Sequence, residues 1–388
     1  MNLSDISGER VLLRADLNVP LEDGEVQGMQ RLRAVVPTIR QLLKQGNALI
    51  ITSHLGRPQG RQKRYSLKPV ARALSKLIKT DIIFASDLLS KRASRIAASL
   101  EPGMVLMLEN LRYYPEEESN DPAFAKHLAS LATVYVNDAF SVCHRAHASV
   151  VGVPKHLPSA FGLNILAEID AAELLLEPKR PSLAIIGGAK ISTKLALLES
   201  LSKRYGSIII GGAMAFTLLK AQGVCVGRSK VEDAMIPKAR RLLKQANLIL
   251  PTDAVVARTV SAHAKREIKP IDELDPEDVG LDIGPASVER FSEYIAKSNT
   301  IVWNGPMGLF ELPAFAKGTY AIARTLADAR AKVVIGGGDT VAAIERIRLQ
   351  KRYDHVSTGG GAMLEYLERS GLPGIDAVRR ARSARPRS

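Results

Sequence analysis

Several arginines in the first half of the sequence follow short apolar stretches and are candidates for binding phosphate or carboxylate groups. Arg14 lies in RADLNVP and Arg57 in HLGRP, Arg112 follows MVLMLEN, and Arg145 lies in HRAH. A guanidinium matches either anion with two parallel, charge-assisted hydrogen bonds. This half of the chain therefore predicts a site for a small anionic molecule.

Polar side chains near these arginines fit the same site. Arg14, Asp16 and Asn18 alternate, so an extended strand would point all three to one side, although the solvated face of an edge strand would show the same pattern. His54 precedes a glycine that allows the backbone to approach a ligand closely. Taken alone, however, such a histidine is more often a hydrogen-bonded structural residue than a catalyst.

The segment CHRAH suggests two other kinds of chemistry, metal binding and nucleophilic catalysis. His144 and His147 could bind a metal ion, but no third ligand lies at a recognised spacing. Cys143 beside His144 resembles a nucleophile with its base, yet a small buried thiol is the more common arrangement. We expect neither a metal site nor a cysteine nucleophile here.

The second half of the sequence is rich in glycine where the first is rich in arginine. In IIGGAKISTK, Lys190 and Lys194 are four residues apart, which would place both on one face of the first turn of a helix. Two cations there oppose the helix dipole and make sense if an anion sits between them, although two solvated lysines are the alternative. The segment is not a Walker A loop, because GxxxxGK[ST] does not occur in the sequence.

The segment VVIGGGDTVAAIERI carries a stronger signal for phosphate binding. Gly336, Gly337 and Gly338 would expose backbone N–H groups, and a helix beginning near Thr340 would add its positive end. Asp339 could cap that helix, hold a magnesium ion, or do both. Glu311, at the end of WNGPMGLFE, could accept hydrogen bonds from ribose hydroxyls.

Short apolar strands alternate with helical segments from end to end, which predicts an α/β fold with parallel sheets covered by helices. One predicted helix has Leu32, Val35, Val36, Ile39, Leu42 and Leu43 on a single face. The predicted strands are 11–15, 48–52, 104–108, 134–136, 182–186, 207–210, 248–250, 300–303 and 332–335. Open parallel sheets bind ligands beyond the carboxyl ends of their strands, so two sites of different chemistry are expected.

Length and composition favour a two-domain protein of the cytoplasm. At 388 residues the chain is too long for one ordinary core, and its 46% hydrophobic and 24% charged residues are normal for a globular protein. No apolar run approaches a membrane span, and MNLSDISGER lacks the features of a secretory signal. The two cysteines allow no disulfide framework. We expect the domain boundary within residues 155–181.

The formal net charge of +14 indicates a polyanionic partner, and nucleic acid is one candidate. Five arginines within residues 379–388 contribute to it without any acidic residue, which predicts a disordered basic tail. The remaining charge suits a protein that handles small phosphorylated molecules. Only 5% of the residues are aromatic, and this disfavours binding to single-stranded nucleic acid, which uses aromatic stacking.

The motifs together resemble the phosphoglycerate kinase family, in the order in which that family shows them. They are RADLNVP, SHLGRP, ENLRYYPEE, YVNDAFSVCHRAHAS, IIGGAKIS, GLDIGP, IVWNGPMGLFE, IGGGDTVAA and STGGGA. The set spans residue 10 to about residue 378 and is far more specific than any one glycine loop.

The resemblance implies two Rossmann-like lobes joined by a hinge. It implies an amino-terminal lobe, residues 1–166, that binds 3-phosphoglycerate, and a carboxy-terminal lobe, residues 167–364, that binds the magnesium complex of ADP or ATP. Residues 365–378 would return to the first lobe. The positions that match the family's substrate-binding segments are Asp16, Leu17, Asn18, Arg31, His54, Leu55, Gly56, Arg57, Arg112 and Arg145. Those that match its nucleotide-binding segments are Lys190, Lys194, Asn304, Glu311, Gly336, Gly337, Gly338, Asp339 and Thr340.

The resemblance also implies a mechanism. A phosphoryl group would pass directly between 1,3-bisphosphoglycerate and ADP, with Arg31, Lys194, Gly337 and Gly338 as the catalytic residues and Asp339 as the magnesium ligand. The implied enzyme is a cytoplasmic monomer that binds neither membranes nor specific nucleic acid. This chain departs from the family in having Ser141-Val142-Cys143 where Gly-Thr-Ala is usual.

Two alternatives remain open at the level of sequence. One is a kinase for a different small carboxylate or acyl phosphate, because arginines that recognise phosphate and carboxylate do not identify the molecule that carries them. The other is a basic nucleic-acid-binding protein, whose binding would depend steeply on salt and disappear when the tail is removed.

Overall fold

The computed structural model describes residues 1–383, which divide into two compact units. The first unit comprises Met1–Asp170 together with the chain from Gly371 onward, and the second unit comprises Ala171–Ser370. This division lies a few residues from the predicted boundary at 166/167. It also keeps residues 365–370 in the second unit, because their helix packs against another helix there.

The first unit is built on a six-stranded parallel sheet and a short two-stranded ribbon. Its strands are β1 Arg10–Ala15, β2 Leu21–Glu22, β3 Glu25–Val26, β4 Ala48–Thr52, β5 Ile82–Ala85, β6 Val105–Leu108, β7 Val134–Asp138 and β8 Ser159–Phe161. Its helices are α1 Gln30–Lys44, α2 Lys68–Ile78, α3 Lys91–Ala98, α4 Pro115–Glu118 and α5 Pro122–Ser130, and the helix Pro373–Ser383 joins them from the end of the chain. The strand order is β5-β6-β4-β1-β7-β8.

Helix α6, Leu163–Leu176, runs through the boundary between the units. The second unit continues with β9 Ser182–Ile186, β10 Ser207–Ile210, β11 Leu248–Ile249, β12 Asp253–Ala257, β13 Arg266–Pro270, β14 Val279–Ile283, β15 Thr300–Asn304, β16 Lys332–Gly336 and β17 His355–Val356. Its helices are α7 Leu195–Ser202, α8 Met214–Ala221, α9 Ile236–Gln245, α10 Pro285–Lys297, α11 Lys317–Ala327, α12 Gly338–Arg346 and α13 Gly361–Arg369. Helix α14 is the Pro373–Ser383 helix of the first unit.

Two sheets organise the second unit. A six-stranded parallel sheet has the order β11-β10-β9-β15-β16-β17, and a separate antiparallel sheet has the order β13-β12-β14. The predicted α/β class with parallel sheets flanked by helices is confirmed. The predicted face of α1 is buried as expected except for Leu43, which is half-buried. No helix in residues 1–383 is long and apolar enough to cross a membrane.

The strand order brings the predicted site segments together within each unit. Strands β6, β4, β1 and β7 are neighbours, so the loops that follow them meet at one edge of the first sheet. Strands β10, β9, β15 and β16 are likewise neighbours, and each leads into a glycine. The fold therefore places the arginine-rich loops at one sheet edge and the glycine-rich loops at another.

The predicted disordered tail is wrong for residues 379–383, which continue α14. Ile375 and Val378 are fully buried and anchor this helix. Arg382 Nη2 donates to Asn2 Oδ1 at 2.8 Å, and its guanidinium lies 5.8 Å from the centre of the Phe161 ring. Residues 384–388, the rest of the predicted tail, lie outside the described residues.

Candidate active site

Two amide side chains tie the loops of the first unit together. Asn18 Oδ1 accepts a hydrogen bond from Gly56 N at 2.8 Å, which joins the loops after β1 and β4. Asn110 Oδ1 accepts from Leu55 N at 3.1 Å and from Arg112 N at 3.0 Å, which joins the loops after β4 and β6. Arg112 Nη1 also donates to Gly56 O at 2.6 Å. The predicted residues of these loops therefore form one hydrogen-bonded cluster.

Arg31, in the first turn of α1, is held over the end of β1. Its Nη1 lies 3.1 Å from Asp16 Oδ1 and 3.0 Å from Asp16 Oδ2, and it donates to Asn18 O at 3.0 Å. Ser141 Oγ donates to Asp16 Oδ2 at 2.5 Å. The guanidinium is thus fixed before any ligand arrives, and a third of its side chain, 34%, stays exposed.

Three of the predicted arginines lie close enough to Arg112 to repel its charge. Arg112 Nε lies 3.1 Å from Glu118 Oε1. Burial lowers the pKa of Arg112; Glu118 opposes this, and the cations of Arg145, Arg14 and Arg57 lower the pKa further. Arg57 itself is exposed. Such an excess of positive charge is relieved when an anion binds.

His54 is a buried polar residue of the predicted site, whereas its predicted neighbours Leu17 and Leu55 have apolar side chains. His54 is 4% exposed, and burial followed by the nearby arginines lowers its pKa well below the ordinary value. Leu17 and Leu55 are buried, so their side chains belong to the core. Leu17 N donates to Ser53 Oγ at 3.0 Å, and Leu55 N is already engaged by Asn110. A ligand would therefore meet the polar residues on either side of these leucines.

In the second unit, Lys194 and Asn304 line a cavity together with several glycines. Lys194 Nζ donates to Gly187 O at 2.7 Å, to Asn304 Oδ1 at 2.6 Å and to Asn304 O at 3.1 Å. Burial lowers the pKa of Lys194 to about 8, while the charge of Asp339 opposes the shift. The buried Asn304 Nδ2 has no hydrogen-bond partner within the described part of the chain. This amide is a donor that an anion could satisfy.

The predicted phosphate loop lines the same cavity, whose volume is about 310 Å³. Gly337 has φ +89°, and a Cβ there would lie 2.7 Å from Asn304 Nδ2, so a side chain would be strained and would crowd the amide. Thr340 Oγ1 accepts from Gly305 N at 2.6 Å. The predicted residues that line the cavity are Lys190, Lys194, Asn304, Gly337, Gly338, Asp339 and Thr340.

A second cavity, of about 510 Å³, adjoins this loop. Glu311 and Asp339 line it, together with apolar side chains that include Phe216 and Leu281. Gly212 also lines it and was not predicted as a site residue. The signal for it was present, because GGAMAF follows β10, which is a neighbour of β9 in the sheet.

Two local predictions for this unit are wrong. Lys190 and Lys194 are not in the first turn of a helix, because α7 begins at Leu195 and a turn precedes it. Thr193 Oγ1 donates to Lys190 O at 3.0 Å within that turn, a local bond that competes with helix formation. Helix α12 begins at Gly338 with Gly337 as its N-cap, so Asp339 lies in the first turn and does not cap the helix.

No group of three or more His, Cys, Asp or Glu side chains in residues 1–383 could hold a metal ion. Asp339 is exposed and lines both cavities. A single carboxylate beside this glycine-lined cavity fits a hard cation that takes its other ligands from phosphate and water.

Comparison with known proteins decides between the alternatives. The family model described as phosphoglycerate kinase matches residues 1–370. The chain belongs to the phosphoglycerate kinase family.

Similar proteins cover nearly the whole chain. Phosphoglycerate kinase of Prosthecochloris aestuarii is 49% identical over 97% of this chain and 98% of its own length. The cytosolic phosphoglycerate kinase of Triticum aestivum is 46% identical over 97% and 96% of the two chains. The solved structure of phosphoglycerate kinase from Coxiella burnetii is 37% identical, covers 98% of this chain and 97% of its own, and has a TM-score of 0.89.

The activity follows from membership in the phosphoglycerate kinase family. The enzyme transfers a phosphoryl group reversibly from 1,3-bisphosphoglycerate to ADP, which gives 3-phosphoglycerate and ATP, and is a phosphotransferase with a carboxyl group as acceptor. Phosphoglycerate kinases use ADP and ATP as co-substrates. A kinase for another acyl phosphate and a nucleic-acid-binding protein are not favoured by these relatives.

Proposed function

We propose that the arginine cluster of the first unit binds 3-phosphoglycerate and 1,3-bisphosphoglycerate, and that the glycine-lined cavity of the second unit binds the magnesium complex of ADP or ATP. The observation that carries this proposal is the Lys194–Asn304 pair. It presents a cation with a lowered pKa and an unsatisfied amide donor to a cavity lined by glycine backbone. These are the groups that a phosphate requires.

Within the first unit, the arginines have separate tasks in this proposal. Arg57, Arg112 and Arg145 hold the phosphate that is not transferred, since the positive charges of Arg145 and Arg57 both act on Arg112. Arg31 faces the phosphoryl group that moves, held in position by Asp16. A guanidinium fixed beforehand stabilises developing negative charge without the cost of reorganisation.

Within the second unit, we assign the phosphates of the nucleotide to Lys190, Lys194, Asn304 and the Gly336–Thr340 loop. The larger cavity, with its apolar side chains, takes the base, and Glu311 at its wall accepts hydrogen bonds from ribose hydroxyls. Asp339 would hold Mg²⁺, which neutralises charge on the phosphates when it is bound.

The transfer itself needs position and charge more than covalent help from the protein. The carboxylate oxygen of 3-phosphoglycerate and the terminal phosphate of the nucleotide must lie in line and within about 3–3.5 Å. Because the proposed sites belong to different units, we infer a hinge closure in each catalytic cycle. We also propose that the enzyme is a monomer and lies in the cytoplasm. The name of the wheat relative describes that protein as cytosolic.

The substitution Asp339→Asn tests the assignment of the nucleotide site. Asparagine keeps the size of the side chain but removes the charge, so we expect a folded protein whose kcat falls by about 100-fold or more. Turnover should be measured across a magnesium titration. Asp328→Asn is the matched control, because Asp328 is an exposed acid of the same unit that pairs with Arg352. Near-normal turnover of Asp339→Asn at limiting magnesium would contradict the assignment.

A further inference from the structure

Arg14 lies fully buried beneath the arginine cluster of the first unit, and the proposed function gives it no task. Its Nε donates to Ser149 Oγ at 2.9 Å and its Nη1 donates to Ala15 O at 2.7 Å. Its Nη2 lies 3.3 Å from His54 Nδ1. A buried guanidinium with three different partners is fixed in orientation, so the contact with His54 is a built feature of the site.

Glu117 supplies the opposite charge to Arg14 through a serine. Ser149 Oγ donates to Glu117 Oε1, and Ser149 N donates to Glu117 Oε2 at 2.9 Å. A hydroxyl has one proton, so by donating it to Glu117 the serine must accept from Arg14. Tyr135 OH donates to Ser149 O at 2.8 Å and holds the serine backbone in place. Arg14 is therefore the donor to Ser149, and with Glu117 ionised Ser149 is the donor to Glu117.

The same reasoning determines where His54 carries its proton. A guanidinium has donors only, so Nδ1 of His54 must accept the hydrogen bond from Arg14. A neutral imidazole that accepts at Nδ1 carries its proton on Nε2. Protonation of Nδ1 would bring a second cation against Arg14 in a buried place, and the charges of Arg112, Arg31 and His147 also act against it.

We propose that Arg14, together with Ser149 and Glu117, is a positioning residue for His54: it fixes the imidazole as the neutral tautomer that donates from Nε2 to the anionic substrate. This proposal rests on the function proposed for the arginine cluster. Arg14, Ser149 and Glu117 keep His54 a hydrogen-bond donor at Nε2 at every physiological pH. A titrating imidazole would change the charge of the site within that range.

Nitrogen chemical shifts of the imidazole ring test the proposal directly. The complete chain would be labelled with ¹⁵N-histidine, and His54 would be identified among its seven histidines by the loss of its signals in His54→Gln. We expect a neutral ring with a protonated Nε2 across about pH 6 to 8, the range over which an ordinary histidine titrates. A protonated Nδ1 in the unsubstituted chain, or a ring that titrates like an ordinary histidine, would overturn the proposal.

Substitutions separate positioning from a purely structural role. The pair Arg14→Gln with Glu117→Gln removes both buried charges together, so neither is left uncompensated. We expect His54 in this double variant to show both tautomers and a pKa raised toward the ordinary value, because the cation at Nδ1 is gone. Arg10→Gln is the matched control, since Arg10 lies in the same strand and donates to Leu131 O at 2.7 Å, away from His54.

A double variant with an unchanged His54 tautomer and pKa would refute the positioning role, whatever its stability. If the double variant does not fold, the nitrogen chemical shifts of His54 in the unsubstituted chain still test the proposal, because a protonated Nδ1 there would overturn it. The KM for 3-phosphoglycerate should rise about tenfold or more in the double variant and in His54→Gln, as expected for the loss of one hydrogen bond to a charged group.

Failure of the proposed function would look different from failure of this inference. If 3-phosphoglycerate leaves all His54 nitrogen signals of the unsubstituted chain unmoved, the arginine cluster is not its site and the proposed donation to substrate is overturned. If the signals move but Nδ1 carries the proton, the site assignment stands and the role of Arg14 is overturned.

Discussion

Arg31 and Arg57 are both arginines of the proposed substrate site, but the protein holds them differently. Arg31 is fixed by both oxygens of Asp16 and by Asn18 O, whereas Arg57 is exposed on the loop after β4. A fixed donor is suited to act on charge that develops during the reaction. A donor to a group that the reaction leaves unchanged binds the ground state and the transition state equally.

We therefore expect different kinetic effects from the two alanine substitutions. Arg31→Ala should lower kcat by on the order of 10²–10³ at saturating substrate, and Arg31→Lys should recover only part of it, because the fork geometry is lost. Arg57→Ala should mainly raise KM for 3-phosphoglycerate. The control is Arg33→Ala, an exposed residue of the same helix. If Arg31→Ala keeps kcat within about threefold, Arg31 is a solvated helix residue.

Single residues were predictable where a motif surrounds them and unpredictable where distant contacts decide. Lys194, Asn304 and residues 337–340 line one cavity, as their place in segments that resemble the family's nucleotide-binding motifs led us to expect. The buried partners of His54 could not be, since Glu117 and Ser149 are 63 and 95 residues away from it in the sequence. Only the fold brings them together, through the hydrogen bonds of Arg14.

At the scale of elements, nine of the twelve strands in the two parallel sheets of residues 1–383 were predicted. Strands β5, β8 and β17 were missed, and so was the antiparallel sheet. The nine predicted segments correspond to β1, β4, β6, β7, β9, β10, β11, β15 and β16 within one or two residues. Those strands are apolar because the parallel sheets are flanked by helices. Strand β13 is largely exposed and carries no apolar pattern, so its sequence REIKP did not indicate a strand.

The junction between β7 and α6 predicts a pH dependence of stability. Asp138 Oδ1 accepts from Ile165 N at 3.1 Å, and burial raises the pKa of Asp138 to about 7 against the hydrogen bonds that favour its charged form. In the unfolded chain this carboxyl has its ordinary pKa of 3.8. Between these values the folded chain binds more protons, so stability should fall as pH rises through this window.

Asp138→Asn removes that titration and keeps an oxygen for Ile165 N. The free energy of unfolding, measured in urea, should fall between about pH 4 and pH 7 in both proteins. We expect this fall to be about 1–3 kcal/mol smaller in the variant than in the unsubstituted chain. Asp121→Asn is the control, because Asp121 is a less buried acid of the same unit that caps α5. Equal pH slopes for Asp138→Asn and the unsubstituted chain would show that Asp138 is ionised in the folded protein.

The last helix also carries a prediction. Since Arg382 donates to Asn2 and lies near the ring of Phe161, Arg382→Ala should lower the free energy of unfolding by about 0.5–1 kcal/mol and leave kcat unchanged. Urea unfolding and steady-state turnover would measure the two effects. Arg92→Ala, at an exposed position of α3, is the control. A large fall in kcat would show that α14 acts on the site as well as on stability.

At the scale of the whole molecule, the positive charge and the division into two units are both consistent with phosphoryl transfer between two small anionic substrates. A net charge of +14 could have indicated nucleic acid, but we propose that the arginine cluster of the first unit binds a small phosphorylated molecule. The sequence could predict this division of chemistry because each half repeats one kind of strand-end loop. It could not predict which residues end each unit, because that depends on packing between helices such as α13 and α7.

Formation of ATP by the purified chain tests the central claim most directly. A coupled assay would supply 1,3-bisphosphoglycerate, ADP and magnesium, with Lys194→Ala as the variant that removes the cation of the proposed nucleotide site. We expect turnover in the range of about 1–100 s⁻¹ that is typical of kinases. It should depend on all three components and be lost in the variant. A folded chain that forms no ATP under these conditions, or a Lys194→Ala variant as active as the unsubstituted chain, would contradict it.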